Sequence, residues 1–146
     1  MPDAATLTLV GIVVLAVLVV VFIKVRQKDL IGAMMAKRQP NAKLVSRAEY
    51  VEGMEKIPVA LSLTTETLYY ENPDLEASFD LNRIDEIEYS EELATGRNHD
   101  ENLRVLRLRS HGATFEFLLE RPEAQKWAAA LPPKTTTNQS PTAHAV

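Results

Sequence analysis

Apolar and polar positions divide the chain into three regimes. Residues 4–23, AATLTLVGIVVLAVLVVVFI, carry no charge and no polar side chain beyond two threonines. A helix rises ~1.5 Å per residue, so a run of this length reaches about 30 Å, the thickness of bilayer hydrocarbon. Valine favours strands in water, but a lone strand in hydrocarbon leaves its backbone groups unpaired, so the run predicts a helix. The second regime, residues 24–38, reads KVRQKDLIGAMMAKR. Here Leu30, Ile31, Met34 and Met35 fall at helical spacing and Pro40-Asn41 stops the pattern, which predicts that the helix continues to about Arg38.

From residue 42 the period changes to two. Alternating runs at 43–51, 59–63, 67–71, 76–79, 86–90, 103–109 and 113–119 predict seven strands. Val59, Leu61, Leu63, Leu68, Tyr70, Ile87 and Tyr89 are expected to face inward. Glu52-Gly53, Asn72-Pro73-Asp74 and His111-Gly112 supply turns, and residues 91–102, EELATGRNHDEN, read as an exposed loop. Arg121-Pro122-Glu123 then opens a helix in which Ala124, Trp127, Ala128 and Leu131 form one apolar face. Pro132-Pro133 ends it, and residues 134–146, rich in Thr, Ser and Pro, predict a disordered tail.

The resulting organisation is a short N-terminus and transmembrane helix at 1–23, a basic juxtamembrane segment at 24–41, one mainly-β domain at 42–131 and a tail at 132–146. About ninety residues suffice for one modest core.

Charge sharpens this layout. The net charge of −4 conceals seven basic residues against one acid in 24–47, followed by nine basic against eighteen acidic residues in 48–146. An acidic body argues against nucleic acid as ligand. Lys24, Arg26 and Lys28 follow the apolar run, whereas no Lys or Arg precedes it. The positive-inside rule therefore predicts an exterior N-terminus and a cytoplasmic domain. A cleaved signal is not expected, since the segment before the run holds an acid and no base and no Ala-x-Ala site follows it. Gly11 has no glycine four residues on, so no Gly-xxx-Gly pairing is expected. With no cysteine, disulfides and lipidated cysteine are excluded.

Seven strands closed by a helix carrying the single Trp, with LSLTTETLYYEN (61–72), SFDLNRIDEIEY (78–89) and FEFLLERPEAQKWAAAL (115–131) in that order, resemble the pleckstrin-homology-like superfold, more closely its GRAM and bacterial PH-like branch. The resemblance covers about residues 42–131. It implies a seven-stranded, partly open barrel capped by a C-terminal helix, with Trp127 and Leu131 as the plug. The family's phosphoinositide binders cluster Lys and Arg around the first strand pair. Here the connecting segment EGMEKIP (52–58) is acidic on balance, so an inositol-phosphate pocket is not expected.

Candidate contact residues are the collar cations Lys24, Arg26, Lys28, Lys37, Arg38, Lys43 and Arg47, for anionic headgroups or a partner. Arg107 and Arg109 add an outward row, for an acidic peptide or for cross-strand pairing with Glu116 and Glu120. The Leu-Ile-Met-Met face of the collar meets a partner or packs on the domain. His99, His111 and His144 are scattered, and no nucleophile–base or phosphate-loop pattern occurs, so no catalytic, metal or cofactor site is expected. The expected function is a non-catalytic, membrane-tethered module for a protein partner or self-association, with anionic-lipid recognition as the alternative. Compact layout and family resemblance point to a bacterial inner membrane.

Overall fold

The computed structural model describes residues 1–135, apart from the side chains of Gln27 and Lys28. Its first element, α1, is a single helix over Ala4–Arg38. Asp3 O accepts from the amides of Thr6 and Leu7, and Thr8 Oγ1 donates back to Ala4 O. Its most apolar window has a mean hydropathy of 3.1 and none of that window is buried against protein. An α-helix this long and apolar is able to cross a bilayer, and leaving its surface bare in water would be unfavourable. A 3-10 turn at Gln39–Asn41, carrying Pro40, ends it.

Seven strands follow: β1 (Leu44–Glu52), β2 (Glu55–Leu63), β3 (Thr67–Asn72), β4 (Leu75–Asp80), β5 (Ile84–Ser90), β6 (Leu103–Ser110) and β7 (Ala113–Glu120). They form one antiparallel sheet in the order β4-β3-β2-β1-β7-β6-β5, curled into a half-barrel. β1 pairs along its full length with β2, from Leu44↔Leu63 to Glu52↔Glu55, but meets β7 only over Glu49↔Leu118, Tyr50↔Phe117 and Val51↔Glu116. The sheet therefore splays at β1–β7 into two wings. Tight hairpins need left-handed residues: Gly53 takes φ 59° between β1 and β2, and His111 and Gly112 take 52° and 76° between β6 and β7.

Period-two alternation sends one side of every strand into the concave face. Leu61, Leu63, Leu68, Ile84, Leu106, Leu108, Phe117 and Leu119 are all closed to solvent there. Each such side chain contributes roughly 1.5–3 kcal/mol by burial. The C-terminal helix α2 (Arg121–Ala130) closes one end, inserting Trp127, which is 0% exposed, with Ala124 and Leu131 beside it. A buried indole N–H needs an acceptor. Trp127 Nε1 donates to Ser46 Oγ at 2.9 Å, and that hydroxyl donates to Glu123 Oε2 at 2.5 Å. Tyr50, Tyr70, Phe79, Phe115 and Phe117 pack ring to ring in the same core, with centroids 4.7–5.4 Å apart.

The 91–102 segment is an exposed loop as expected, except that Leu93 is buried with Val105 and Leu118 in a second apolar cluster on the convex face. Its alternation is broken, so the one apolar residue that anchors it carries no periodic signal. The tail is not free at its start. Lys134 exchanges two backbone hydrogen bonds with Ile87 at the β5 edge (2.8 and 3.0 Å), and its Nζ donates to Ile84 O. A strand edge offers unpaired backbone groups to any nearby segment, and this one is used. Residues 136–146, the remainder of the expected disordered tail, lie outside the described residues.

Candidate functional site

The junction between α1 and the sheet joins the apolar helix to the domain. Ile31, Met34, Met35 and Arg38 lie at i, i+3, i+4 and i+7, so one helix face carries all four. That face packs on the convex side of β1, β2 and β3. Ile31 is 3% exposed there, and Ala60 and Ser62, which point outward on β2, are covered to 1%. Leu30, expected in the apolar face, points away and is 39% exposed. A Cβ on Gly32 would sit 3.0 Å from Arg47 Nη2, so the glycine leaves room for the end of that side chain.

Arg38 closes the junction. Its Nη2 donates to the buried Glu71 carboxylate, lies 3.5 Å from Glu76, and its guanidinium stands 4.1 Å from the centre of the Tyr69 ring. Glu71 and Tyr69 alternate with the inward Leu68 and Tyr70, which puts both on the convex side of β3. A planar guanidinium that stacks on a ring and pairs with a carboxylate is a geometry Lys cannot reproduce.

Toward the N-terminal part of the same face, helix and sheet border a groove of about 550 Å³. Ile31, Pro58, Leu103 and Leu118 give it an apolar lining, while Lys24, Arg47, Glu49 and Glu120 supply two cations and two carboxylates. Lys24 and Ile31 are two turns apart on α1 and therefore line one side. Lys24 directly follows the last residue of the apolar run, so the groove adjoins the place where α1 would enter a bilayer.

On the other wing, arginines fasten the 91–102 segment. Arg107 donates to Glu88 Oε2 (2.9 Å), Glu116 Oε2 (3.1 Å) and Glu92 O (2.8 Å), and Glu116 also accepts from the amide of Ala94. Arg121 grips Glu91 with both terminal nitrogens (3.0 and 2.6 Å), and Arg97 caps the carbonyls of Gly53 and Met54. The Arg121 hydrogen bonds hold the Glu91 carboxyl below its ordinary range. His99 is held between Glu91 O and Asp100 O. A polar hollow of about 540 Å³ in this region is lined by these mutually bonded groups. Among the described residues no group of three or more His, Asp or Glu side chains is placed to hold a metal ion.

The structure thus sorts the sequence candidates. Lys24, Arg26 and Lys37 are exposed along α1, and Lys43 is exposed at the start of the domain; the Lys28 side chain lies outside the described residues. Arg47 is exposed on β1 beside Gly32. Arg38 and Arg107 are held by buried or half-buried carboxylates, and Arg109 lies 3.7 Å from Glu86 rather than Glu120. Trp127 and Leu131 form the plug, and Leu131 O accepts from Tyr89 OH at 2.7 Å. The collar and the Arg107/Arg109 row are on separate parts of the surface and make no common site. Sequence reasoning missed Glu71, Tyr69, Leu103 and Leu118. Alternation places the first two outward, but only the docked helix makes them significant.

No protein-family model matches the chain, and no curated protein matches it. Solved structures share the fold: the C-terminal domain of an unknown protein from Leishmania infantum superposes with a TM-score of 0.50 at 14% identity, over 68% of this chain and 92% of that chain. At that identity the likeness concerns the fold alone.

Proposed function

We propose that this chain is a single-pass membrane protein whose PH-like domain, of the GRAM and bacterial PH-like type, is a non-catalytic scaffold presented to a protein partner or a second copy at the cytoplasmic surface of a bacterial inner membrane. The carrying observation is the junction: the apolar helix continues without a break to Arg38, which is bonded to Glu71 and stacked on Tyr69. A flexible linker would let the domain sample all orientations, whereas a docked helix fixes which surfaces face away from the bilayer. The cations after the run support the exterior N-terminus. The strand order, with α2 and Trp127 closing one end, supports the PH-like assignment.

A photo-crosslinking residue at Met54, which is 79% exposed at the β1–β2 turn, and another at Ser78, exposed on the edge strand β4, test the reading in native membranes. Discrete crosslinked species of fixed mass are expected from at least one site. Folded, membrane-retained protein that yields none from either site would remove the scaffold reading. The alternative is anionic-headgroup recognition by the collar, supported by the exposure of Lys24, Arg26 and Lys37. It predicts salt-sensitive attraction to anionic vesicles.

A further inference from the structure

We propose that the groove between α1 and the sheet binds a zwitterionic phospholipid, one acyl chain lying on Leu103 and Pro58 and a phosphoethanolamine headgroup bridging Lys24 to Glu49 and Glu120. The inference rests on the reading that α1 is membrane-inserted, and its site includes neither Met54 nor Ser78.

Three observations converge on this occupant. The groove adjoins the end of the uncharged run, so a lipid in the adjacent leaflet reaches it without crossing bulk water. Its volume, about 550 Å³, lies within the ~300–1,000 Å³ of small-molecule sites and its lining is mostly apolar with a few charged groups. The charges decide the headgroup. Among the described lining side chains Glu49 and Glu120 stand opposite Lys24, so an anionic headgroup attracted by Lys24 would be set against two carboxylates. A phosphate linked to an ammonium satisfies both signs at once. Acyl chains are already dry in the bilayer, so moving one into the groove gains little. Selectivity therefore comes from the headgroup pairs.

The full-length chain, reconstituted in vesicles of equal phosphatidylethanolamine and phosphatidylglycerol and re-extracted in dodecyl maltoside, is examined by native mass spectrometry. A single phosphatidylethanolamine adduct is expected, at least about fivefold over phosphatidylglycerol. Leu103→Trp fills the groove and is expected to remove the adduct. Glu120→Lys, at an exposed position with less risk to folding, is expected to reverse the preference toward phosphatidylglycerol. Absence of an adduct from the wild-type chain, an adduct unchanged in both variants, or equal binding of the two lipids would overturn the proposal. Vesicle flotation reports insertion independently: a chain that floats yet carries no adduct defeats the groove alone, and a chain that fails to float defeats both readings.

Discussion

Removing the Arg38 side chain tests whether helix and domain form one unit. The Glu71 side chain is 8% exposed, so Arg38→Ala leaves a carboxylate under the helix without its cation. Breaking a buried pair from one side costs about 3–5 kcal/mol. Arg38 is itself 24% exposed, and water entering the vacated space would screen Glu71, which lowers the expectation to about 2–3 kcal/mol. Loss of the guanidinium from the Tyr69 ring adds roughly 0.5–1 kcal/mol. The chain supplies its own reporter, because its one tryptophan is wholly buried in the domain core. Urea titration of the full chain in detergent micelles, followed by Trp127 emission, should place Arg38→Ala about 3 kcal/mol below wild type. The double change Arg38→Met with Glu71→Leu removes both charges and should recover most of that loss. A loss below about 0.5 kcal/mol for the single variant, the size of an ordinary surface change, would refute the reasoning. A double variant as unstable as the single would do the same.

Other sites give independent outcomes. Ser46→Ala strips the acceptor from the buried Trp127 N–H and should cost about 1–3 kcal/mol at neutral pH by the same titration. The Ser46 hydroxyl, with Lys126 adding to it, holds the Glu123 carboxyl below its ordinary value. That stabilisation is complete above the unfolded carboxylate pKa of about 4.3 and is lost as pH falls through the lower folded value, so the gap between Ser46→Ala and wild type should narrow on acidification. A gap that widens in acid contradicts the assignment. Arg107→Ala should unfasten the 91–102 segment and speed amide exchange at Ala94 by about tenfold or more while β1–β2 amides stay protected. Gly112→Ala, at φ 76°, should destabilise by about 1 kcal/mol, whereas His111→Gly, at φ 52°, should be neutral or stabilising in thermal melts.

What the sequence made legible was whatever repeats along it. The uncharged run was legible by its length, and the alternation of Val59, Leu61 and Leu63 and the spacing of Ala124, Trp127 and Leu131 each express one period; each element formed where its pattern ran. Features made by one surface meeting another were hidden. Glu71 reads as an outward strand carboxylate until Arg38, thirty-three residues earlier, is laid over it. Leu93 sits alone in a polar segment, and its burial depends on Val105 and Leu118 from two other strands. Lys134 follows two prolines and has no pattern, yet it pairs with the β5 edge. The groove was illegible for the same reason, since its lining comes from α1, β1, β2, β6 and β7 together. The collar was legible as charge, but charge alone did not separate Arg38, which ties helix to sheet, from Arg26 and Lys37, which are exposed.

Cysteine accessibility across the membrane bears most directly on cytoplasmic presentation, and the chain's lack of native cysteine makes it clean. Single cysteines are introduced at Asp3, before the apolar run, and at Met54, exposed on the domain, and are treated with a membrane-impermeant maleimide. An N-terminus outside and a domain inside predict that Asp3→Cys labels in intact spheroplasts and Met54→Cys labels only after lysis. The reverse pattern, or labelling of Met54→Cys in intact spheroplasts, would contradict the cytoplasmic presentation on which the proposed function rests.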